Sequence, residues 1–431
     1  MKKLKRVLDK SNDSKKMVDP GRAIFVQGDL DETLVSTLTP QILALRKKAL
    51  KPITVFIDSM GGNINACRVL MGLLNTPDQM GRTCLINTVV TGRACSAAAH
   101  LLASGDYIIS YPNAYIHFHG IRTNAEGITA EQAGSLQDEM LSLNKSTATN
   151  LAATVFDRML LNYRSVRDQM PLTRKALEKR LKMYDALRGD GTIDVPAFVF
   201  YLLKKVKDPY KGLLVDCLHK TTRMCALVKK FRELSDNRRI LPPVLRAALK
   251  NVERDEDEPN LEDELSLFHV LLASKIKEDP HWRLTAENFD ALAQDFLQLN
   301  AMAYFQDEAL DWVLRLADSF ISSKDFEYLM EHCCGEPAGP KIQEKCEKIV
   351  SQAYEKIEPL WSFSFTLCRE LTGGEHPIPP EDAWWLGLID EVLGSPSLTR
   401  RTIQEKVKDR LMEMITVQDF DRFVDYEKLF N

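Results

Sequence analysis

The sequence has little net charge and no long uninterrupted apolar run. Its 57 Lys and Arg residues against 61 Asp and Glu leave a formal net charge of −4, which gives no sign of a nucleic-acid partner or an anionic membrane partner. The most apolar long window, residues 85–105, is interrupted by Asn87, Arg93 and His100, which argues against a helix that spans a bilayer. Residues 1–19 lack the apolar run of a signal peptide, so we expect a flexible segment and a cytoplasmic protein.

Paired cysteine motifs and a P-loop are also missing. The nine cysteines are odd in number and have no framework spacing, as is typical of free thiols in a reducing compartment. The run 332–334 (His-Cys-Cys), with Cys346 further on, lacks the C-x-x-C spacing of structural zinc, so we expect packed thiols and no metal. Residues 186–197 imitate part of an EF-hand loop, but alanine stands at its first and last ligand positions, which argues against calcium. Without a P-loop, any ATP-driven step needs a separate subunit.

What the sequence does contain, over residues 22–120, is an alternation of short β-rich runs with helical stretches. Chain length, 431 residues with 45% hydrophobic residues, favours two or three domains. The predicted strands are 23–27, 53–58, 84–90, 107–111 and 114–119, and the predicted crossover helices are 34–50, 64–74 and 96–104. Because strand–helix–strand repetition favours parallel pairing, this part is predicted to be an α/β fold with a largely parallel sheet.

From residue 129 onward the pattern is mainly helical. Thr129 and Gln132 fit a capping box, and apolar stripes at helical spacing recur at 261–272 and 310–321. An α/β-like segment returns near 378–392, which predicts a helical domain inserted into an α/β parent. The predicted division is a flexible segment (1–19), a first core part (20–160), a helical insertion (161–360), a closing core segment (361–394) and a C-terminal helical tail (395–431).

Three motifs in the first part of the chain are candidates for chemistry. Two glycines, Gly61 and Gly62, follow a predicted strand and precede a helix, which suits a phosphate or an oxyanion but also a plain tight turn. Ser96 begins an apolar helix, as a nucleophile or as an ordinary N-cap. His117 and His119 lie two apart on a predicted strand and share a face, where each is either a base or a packed residue. Together, and in this order along the chain, the three motifs are a more specific signal than any one of them alone.

These motifs resemble those of the Clp proteolytic subunit, a serine peptidase of the Clp/crotonase superfamily. The resemblance starts at Arg22, and its parts are similar to the family's Ser-Pro-Gly-Gly turn (57–63), Gly-x-x-x-Ser nucleophile motif (92–98), Pro-Asn strand ending in histidine (112–119) and closing Gly-Leu-(Val/Ile)-Asp segment (380–392). It implies a Clp/crotonase-like β-α-β spiral core interrupted by a mainly α-helical insertion. The helical middle has no counterpart in the family.

The resemblance also implies roles for individual residues. Ser96 falls on the nucleophile, and His119, six residues after Asn113, falls on the general base. Gly62 and Ala97 would supply the two backbone N–H groups of the oxyanion hole, which stabilise a tetrahedral O⁻. His117 is then a neighbour out of register with the motif.

The third triad member and the cleft depart from the family pattern. Counting back from Gly387 without gaps places Glu375 where the family has an aspartate, so Glu375 is the implied orienting acid. Met60 replaces the usual proline before the glycine pair, and Arg93 and Cys95 lie beside the nucleophile. We therefore expect a substrate cleft with a different lining.

The implied function is a serine endopeptidase that hydrolyses peptide bonds in polypeptide substrates, with no metal or organic cofactor. The resemblance implies a homo-oligomer with helices 34–50 and 64–74 at the subunit contacts, and a separate AAA+ unfoldase or adaptor as partner. The insertion stands where the family has the handle that stacks two rings, so it is a candidate lid, adaptor platform or partner-binding domain. Two alternatives stay open: a catalytically inactive Clp-like scaffold whose insert binds a partner, and a crotonase-type acyl-CoA enzyme.

Overall fold

The computed structural model describes about half of the chain. The described residues are 19–78, 83–122, 129–170, 193–222, 340–375 and 377–400, together with 322, 324, 325 and 328. Several predictions fall outside them: the flexible segment 1–18, the EF-hand-like residues 186–192, the apolar stripes at 261–272 and 310–321, the His-Cys-Cys run at 332–334, and the tail 401–431.

A parallel sheet forms the centre of the fold, as predicted. Its strands are β1 Ala23–Leu30, β2 Ile53–Gly62, β3 Ile86–Cys95, β4 Tyr107–Ser110, β5 Tyr115–His117 and β6 Glu391–Val392. They pair in parallel in the order β1-β2-β3-β4-β6, and β5 pairs with the last three residues of β3. The closing segment therefore completes a sheet begun by the first part of the chain, and the α/β class is confirmed.

The crossover helices end close to where the hydrophobic pattern predicts. They are α1 Glu32–Lys48, α2 Ile64–Asn75 and α3 Ala97–Ala103. Asp31 caps α1 by accepting from the Leu34 N–H at 2.7 Å, and Asn63 caps α2 by accepting from the Asn65 N–H at 2.8 Å. Both caps lie at the ends of strands, so each helix begins directly at the carboxyl edge of the sheet. This places the β2–α2 and β3–α3 turns side by side.

Longer helices pack against this core. Those with described bounds are α4 Ala130–Val166, α5 Val195–Leu202, α6 Pro340–Gly373 and α7 Pro380–Trp385. The predicted capping box at Thr129 and Gln132 is present, and α6 packs along α4, with Phe156 and Trp361 in an edge-to-face contact at 5.5 Å. The predicted domain boundaries at 160/161 and 360/361 fall inside α4 and α6, each of which is one continuous helix; the division into domains stays a prediction.

Candidate active site

Ser96 stands at the turn between β3 and α3 with an unusual backbone. Its φ is +53° and its ψ is −128°, which makes it the non-glycine residue with positive φ in the described part of the chain. Although Ser96 occupies the N-cap position of α3, its hydroxyl makes no capping hydrogen bond. A conformation of this kind costs on the order of 1–3 kcal/mol and is typical of functional sites. The interpretation of Ser96 as an ordinary cap therefore loses its main physical support.

Gly61 is the glycine that lies against this turn. A Cβ added to it would stand 2.7 Å from the Ser96 Cβ, 2.6 Å from the Cys95 carbonyl oxygen and 3.1 Å from the Ala97 nitrogen. Its φ of +98° also favours glycine. Close approach of β2 to the Ser96 turn thus requires glycine at this position.

Gly62, the residue implied by the resemblance as an oxyanion donor, has another neighbour. A Cβ there would stand 2.5 Å from the Leu30 carbonyl oxygen, on β1. The Gly61 N–H is donated to the Ser59 hydroxyl at 3.0 Å. The assignment of the Gly62 N–H as an oxyanion donor stays a prediction.

Ala97 is the first residue of α3, as the resemblance expects. The first N–H groups of a helix have no acceptor within the helix, so the Ala97 N–H is available at the Ser96 turn. The residues behind it, Ala98 and Ala99, are fully buried. Their small side chains allow α3 to pack closely on the sheet, which holds the turn in place.

His117 and His119 lie on and just after β5, beside the end of β3. The Ser96 N–H is donated to the His117 carbonyl at 2.8 Å, and the two imidazole rings are 5.8 Å apart in an edge contact. His119 Nδ1 lies 2.7 Å from the Gly120 carbonyl oxygen. Because a carbonyl only accepts, Nδ1 carries the hydrogen and Nε2 of the neutral ring is an acceptor.

A third histidine, His100, lies behind this pair on α3. Its ring is 5.3 Å from Phe118. Burial, and secondarily the charge on His119, lower the pKa of His100 to about 4. His100 is therefore neutral at pH 7 and is a packed histidine. It brings no charge to the site unless the pH falls well below neutral.

Glu375, the implied third triad member, lies next to His117. Its Oε2 is 4.0 Å from His117 Nε2, and its Oε1 accepts a hydrogen bond from Arg122. The Glu375 side chain is 58% exposed. The structure thus brings Glu375 together with His117 and Arg122, and a role for Glu375 on His119 stays a prediction.

The rim of the site carries charge and an exposed thioether. Arg93 Nε lies 3.6 Å from Asp58 Oδ1, and both side chains are about half exposed. Met60 is 52% exposed, and Cys95 is buried. The sequence analysis does not name Asp58 as a site residue. Its position at the end of a predicted strand, close to the glycine pair, is the feature that could have indicated it. Of the residues that differ from the family pattern, Arg93 is therefore charged and Met60 is apolar and exposed.

The described residues contain neither a metal-type cluster nor a membrane-spanning helix. No group of three or more His, Cys, Asp or Glu side chains in this part of the chain has the arrangement of a metal site. None of the helices within the described ranges has both the length and the apolar character needed to cross a membrane.

Comparison with known proteins finds a matching family for the first part of the chain. Residues 7–164, which include Ser96, His117 and His119, match the Clp protease family. Over these residues the chain is Clp protease-like. A mutant ClpP1 from Listeria monocytogenes is similar at 18% sequence identity, over 35% of this chain and 74% of that chain, with a TM-score of 0.27. The resemblance read from the motifs is confirmed; Glu375 and the helices after Arg164 lie outside the matched range of the Clp protease domain.

Proposed function

We propose that the chain is a serine endopeptidase in which Ser96 is the nucleophile and His119 the general base. His119 Nε2 takes the Ser96 hydroxyl proton as Oγ attacks the peptide carbonyl, and then gives that proton to the leaving amine. Water, deprotonated by His119, attacks the acyl-enzyme and releases Ser96 with its proton restored. No metal or organic cofactor takes part in these steps.

The observation that carries the proposal is the backbone of Ser96. A positive φ at a non-glycine residue whose hydroxyl makes no capping bond has no benefit for folding. Ser96 lies at the carboxyl edge of a parallel sheet, next to β5, which ends two residues before His119. The N–H groups of Gly62 and Ala97 are the proposed oxyanion donors, worth about 3–4 kcal/mol each in acyl-transfer enzymes.

Substrates, assembly and location follow from the family match as further parts of the proposal. The substrates are polypeptides, and the active form is a homo-oligomer. An AAA+ unfoldase or adaptor is a separate partner, since the sequence contains no P-loop of its own. The compartment is reducing, such as the cytoplasm, in keeping with the free buried thiols of Cys67, Cys84 and Cys95.

A fluorophosphonate probe tests the chemistry directly. The folded wild type is expected to label, Ser96→Ala and His119→Ala are expected to lose labelling, and His117→Ala is the matched control that keeps most of it. Equal loss from both histidine variants would show that the wrong imidazole has been assigned. A folded wild type that stays unlabelled, where a Clp peptidase labels, would overturn the proposal.

A catalytically inactive scaffold is the second candidate, and the position of Glu375 favours it. The carboxylate implied as triad acid contacts His117 and Arg122 and not His119 in the described part of the chain. Degradation of casein by the wild type, abolished in Ser96→Ala with an unchanged sedimentation profile, would exclude this candidate. Sedimentation also tests the assembly, because a monomer at micromolar concentration would contradict the proposed homo-oligomer.

A further inference from the structure

One peptide group connects His119 to α4. The His119 Nδ1–H is donated to the Gly120 carbonyl at 2.7 Å, and the Ile121 N–H is donated to Asn144 Oδ1 at 2.9 Å. The Gly120 carbonyl and the Ile121 N–H belong to the same peptide group. Because that group is planar and its C=O and N–H point in opposite directions, His119 and Asn144 bind its two ends.

We propose that the Gly120–Ile121 peptide, held by Asn144, is the group that orients His119, and that Glu375 instead holds His117 and Arg122. The inference rests on the proposed function, since it assigns how the general base of that reaction is positioned. Asn144 is a positioning residue that acts through the peptide. It takes the part that a buried acid plays in a Ser-His-Asp triad.

This arrangement meets the two requirements for a triad's third member. It fixes the tautomer, because an acceptor at Nδ1 keeps the hydrogen there and leaves Nε2 as the base. It also fixes the ring's position, because the acceptor belongs to a rigid peptide anchored on α4, a helix of 37 residues. The hydrogen bond to Asn144 polarises the peptide and makes the Gly120 oxygen a better acceptor.

Glu375 is engaged elsewhere and exposed. Its two carboxylate oxygens face Arg122 and His117, and more than half of its side chain is in contact with solvent. An acid in that position links β5 to the segment after α6. It adds negative charge near His117, whereas Asn144 acts on the peptide that binds His119, which separates the expected effects of the two residues.

The charged and titratable groups around His119 are few among the described residues. His117 lies beside it on β5, His100 lies behind it on α3, and Glu375 with Arg122 lies beyond His117. From α4 the neutral Asn144 reaches this loop. The labelling rate is therefore expected to depend on His119 itself, with His117 as the neighbour to be checked by substitution.

The first experiment measures fluorophosphonate labelling rates of the full chain between pH 5 and 9. Asn144→Leu removes the acceptor at similar size and is expected to slow labelling by about tenfold or more, the worth of a hydrogen bond that orients a reactive group. Asn144→Asp keeps an acceptor oxygen for the Ile121 N–H and is expected to label within about threefold of wild type.

Two further variants complete this set. Asn150→Leu makes the same substitution at an exposed position of α4 and serves as the matched control, expected to equal wild type. Glu375→Gln is expected to lose less than about threefold, whereas loss of a true triad acid costs about 10⁴. The inference is overturned if Glu375→Gln loses labelling as completely as His119→Ala while Asn144→Leu labels like wild type.

A second experiment does not depend on activity. NMR of ¹⁵N-histidine-labelled protein at pH 8, with His119 assigned by its loss in His119→Ala, reports which ring nitrogen carries the hydrogen. The expected result is an Nδ1–H tautomer in wild type and in Glu375→Gln, and a mixture in Asn144→Leu. An Nε2–H tautomer, or one unchanged in Asn144→Leu, overturns the inference. A wild type that fails to label overturns the proposed function alone, because the tautomer still decides this assignment.

Discussion

Arg158 and Asp390 form a buried ion pair, with the guanidinium nitrogen 2.8 Å from Asp390 Oδ2 and only 4% and 1% of the two side chains exposed. The same carboxylate oxygen accepts the Ile108 N–H at 2.9 Å. Asp390 thus joins three parts of the fold that are far apart in the sequence: α4, β4 and the closing segment next to β6.

Removal of one partner of this pair is expected to destabilise the protein strongly. Asp390→Ala leaves Arg158 as a buried, uncompensated charge, so the free energy of unfolding should fall by about 3–5 kcal/mol. Glu381→Ala is the matched control, because its contact with Lys207 at 3.5 Å lies between exposed side chains and is worth less than about 1 kcal/mol. Urea unfolding followed by circular dichroism measures both, and similar losses would contradict the assigned role of Asp390.

Backbone strain at Ser96 predicts a difference between two inactive variants. Ser96→Gly should be more stable than Ser96→Ala by about 1–2 kcal/mol, because glycine adopts a φ of +53° at little cost and alanine does not. Neither variant can label with a fluorophosphonate, so catalysis does not affect the comparison. Thermal unfolding of the two purified proteins measures the difference. Equal stability would show that Ser96 is not strained in solution.

The sequence predicted the presence of the strands more accurately than the residues at which they end. β2 and β3 continue to Gly62 and Cys95, beyond their predicted ends at residues 58 and 90, through residues that are poor strand formers. They stay in the sheet because neighbouring strands pair with them after a register shift between Ile57 and Ser59. Those extensions bring the Gly61 and Ser96 turns together, which periodicity alone could not indicate.

The motifs predicted the candidate nucleophile and base, but not what surrounds them. Ser96 and His119 each follow from a local pattern. Asn144 does not, because it acts on a peptide 23 residues earlier in the chain through a contact that only packing of α4 creates. The assignment of Glu375 as triad acid rests on its spacing from Gly387 across a glycine-rich loop, and spacing along a loop does not fix where a side chain lies. The sequence therefore indicates residues whose roles follow from a local pattern, and it misses residues whose roles depend on how the helices pack.

The contact between Gly61 and the Ser96 turn predicts the effect of a single methyl group. Gly61→Ala would place a Cβ 2.6 Å from the Cys95 carbonyl oxygen, a backbone atom that cannot move away cheaply, at a φ of +98°. We expect a loss of more than about 2 kcal/mol in the free energy of unfolding, with loss of probe labelling.

Gly72→Ala is the control for this substitution. Gly72 lies inside α2 with open space where a Cβ would be, so alanine should stabilise the protein by about 0.5–1 kcal/mol through its helix propensity. Chemical denaturation and labelling of both variants give the answer. A Gly61→Ala protein that is as stable and as readily labelled as wild type would mean that β2 does not approach the Ser96 turn.

Burial of His100 predicts that stability falls in mild acid. Its pKa is lowered to about 4 in the folded protein, against about 6.5 when unfolded, so the unfolded chain binds one more proton between these two values. The free energy of unfolding should therefore decrease as the pH falls from about 6.5 to about 4, by up to roughly 3 kcal/mol from this group. Above pH 7 His100 is neutral in both the folded and the unfolded protein, and its contribution vanishes.

Urea unfolding at pH 4.5, 5.5 and 7.5 measures this decrease in stability, with His100→Leu as the variant that lacks the titrating ring. Because the carboxylates titrate in both proteins, the difference between their slopes isolates His100, and parallel slopes would show that this imidazole stays accessible to protons in the folded state.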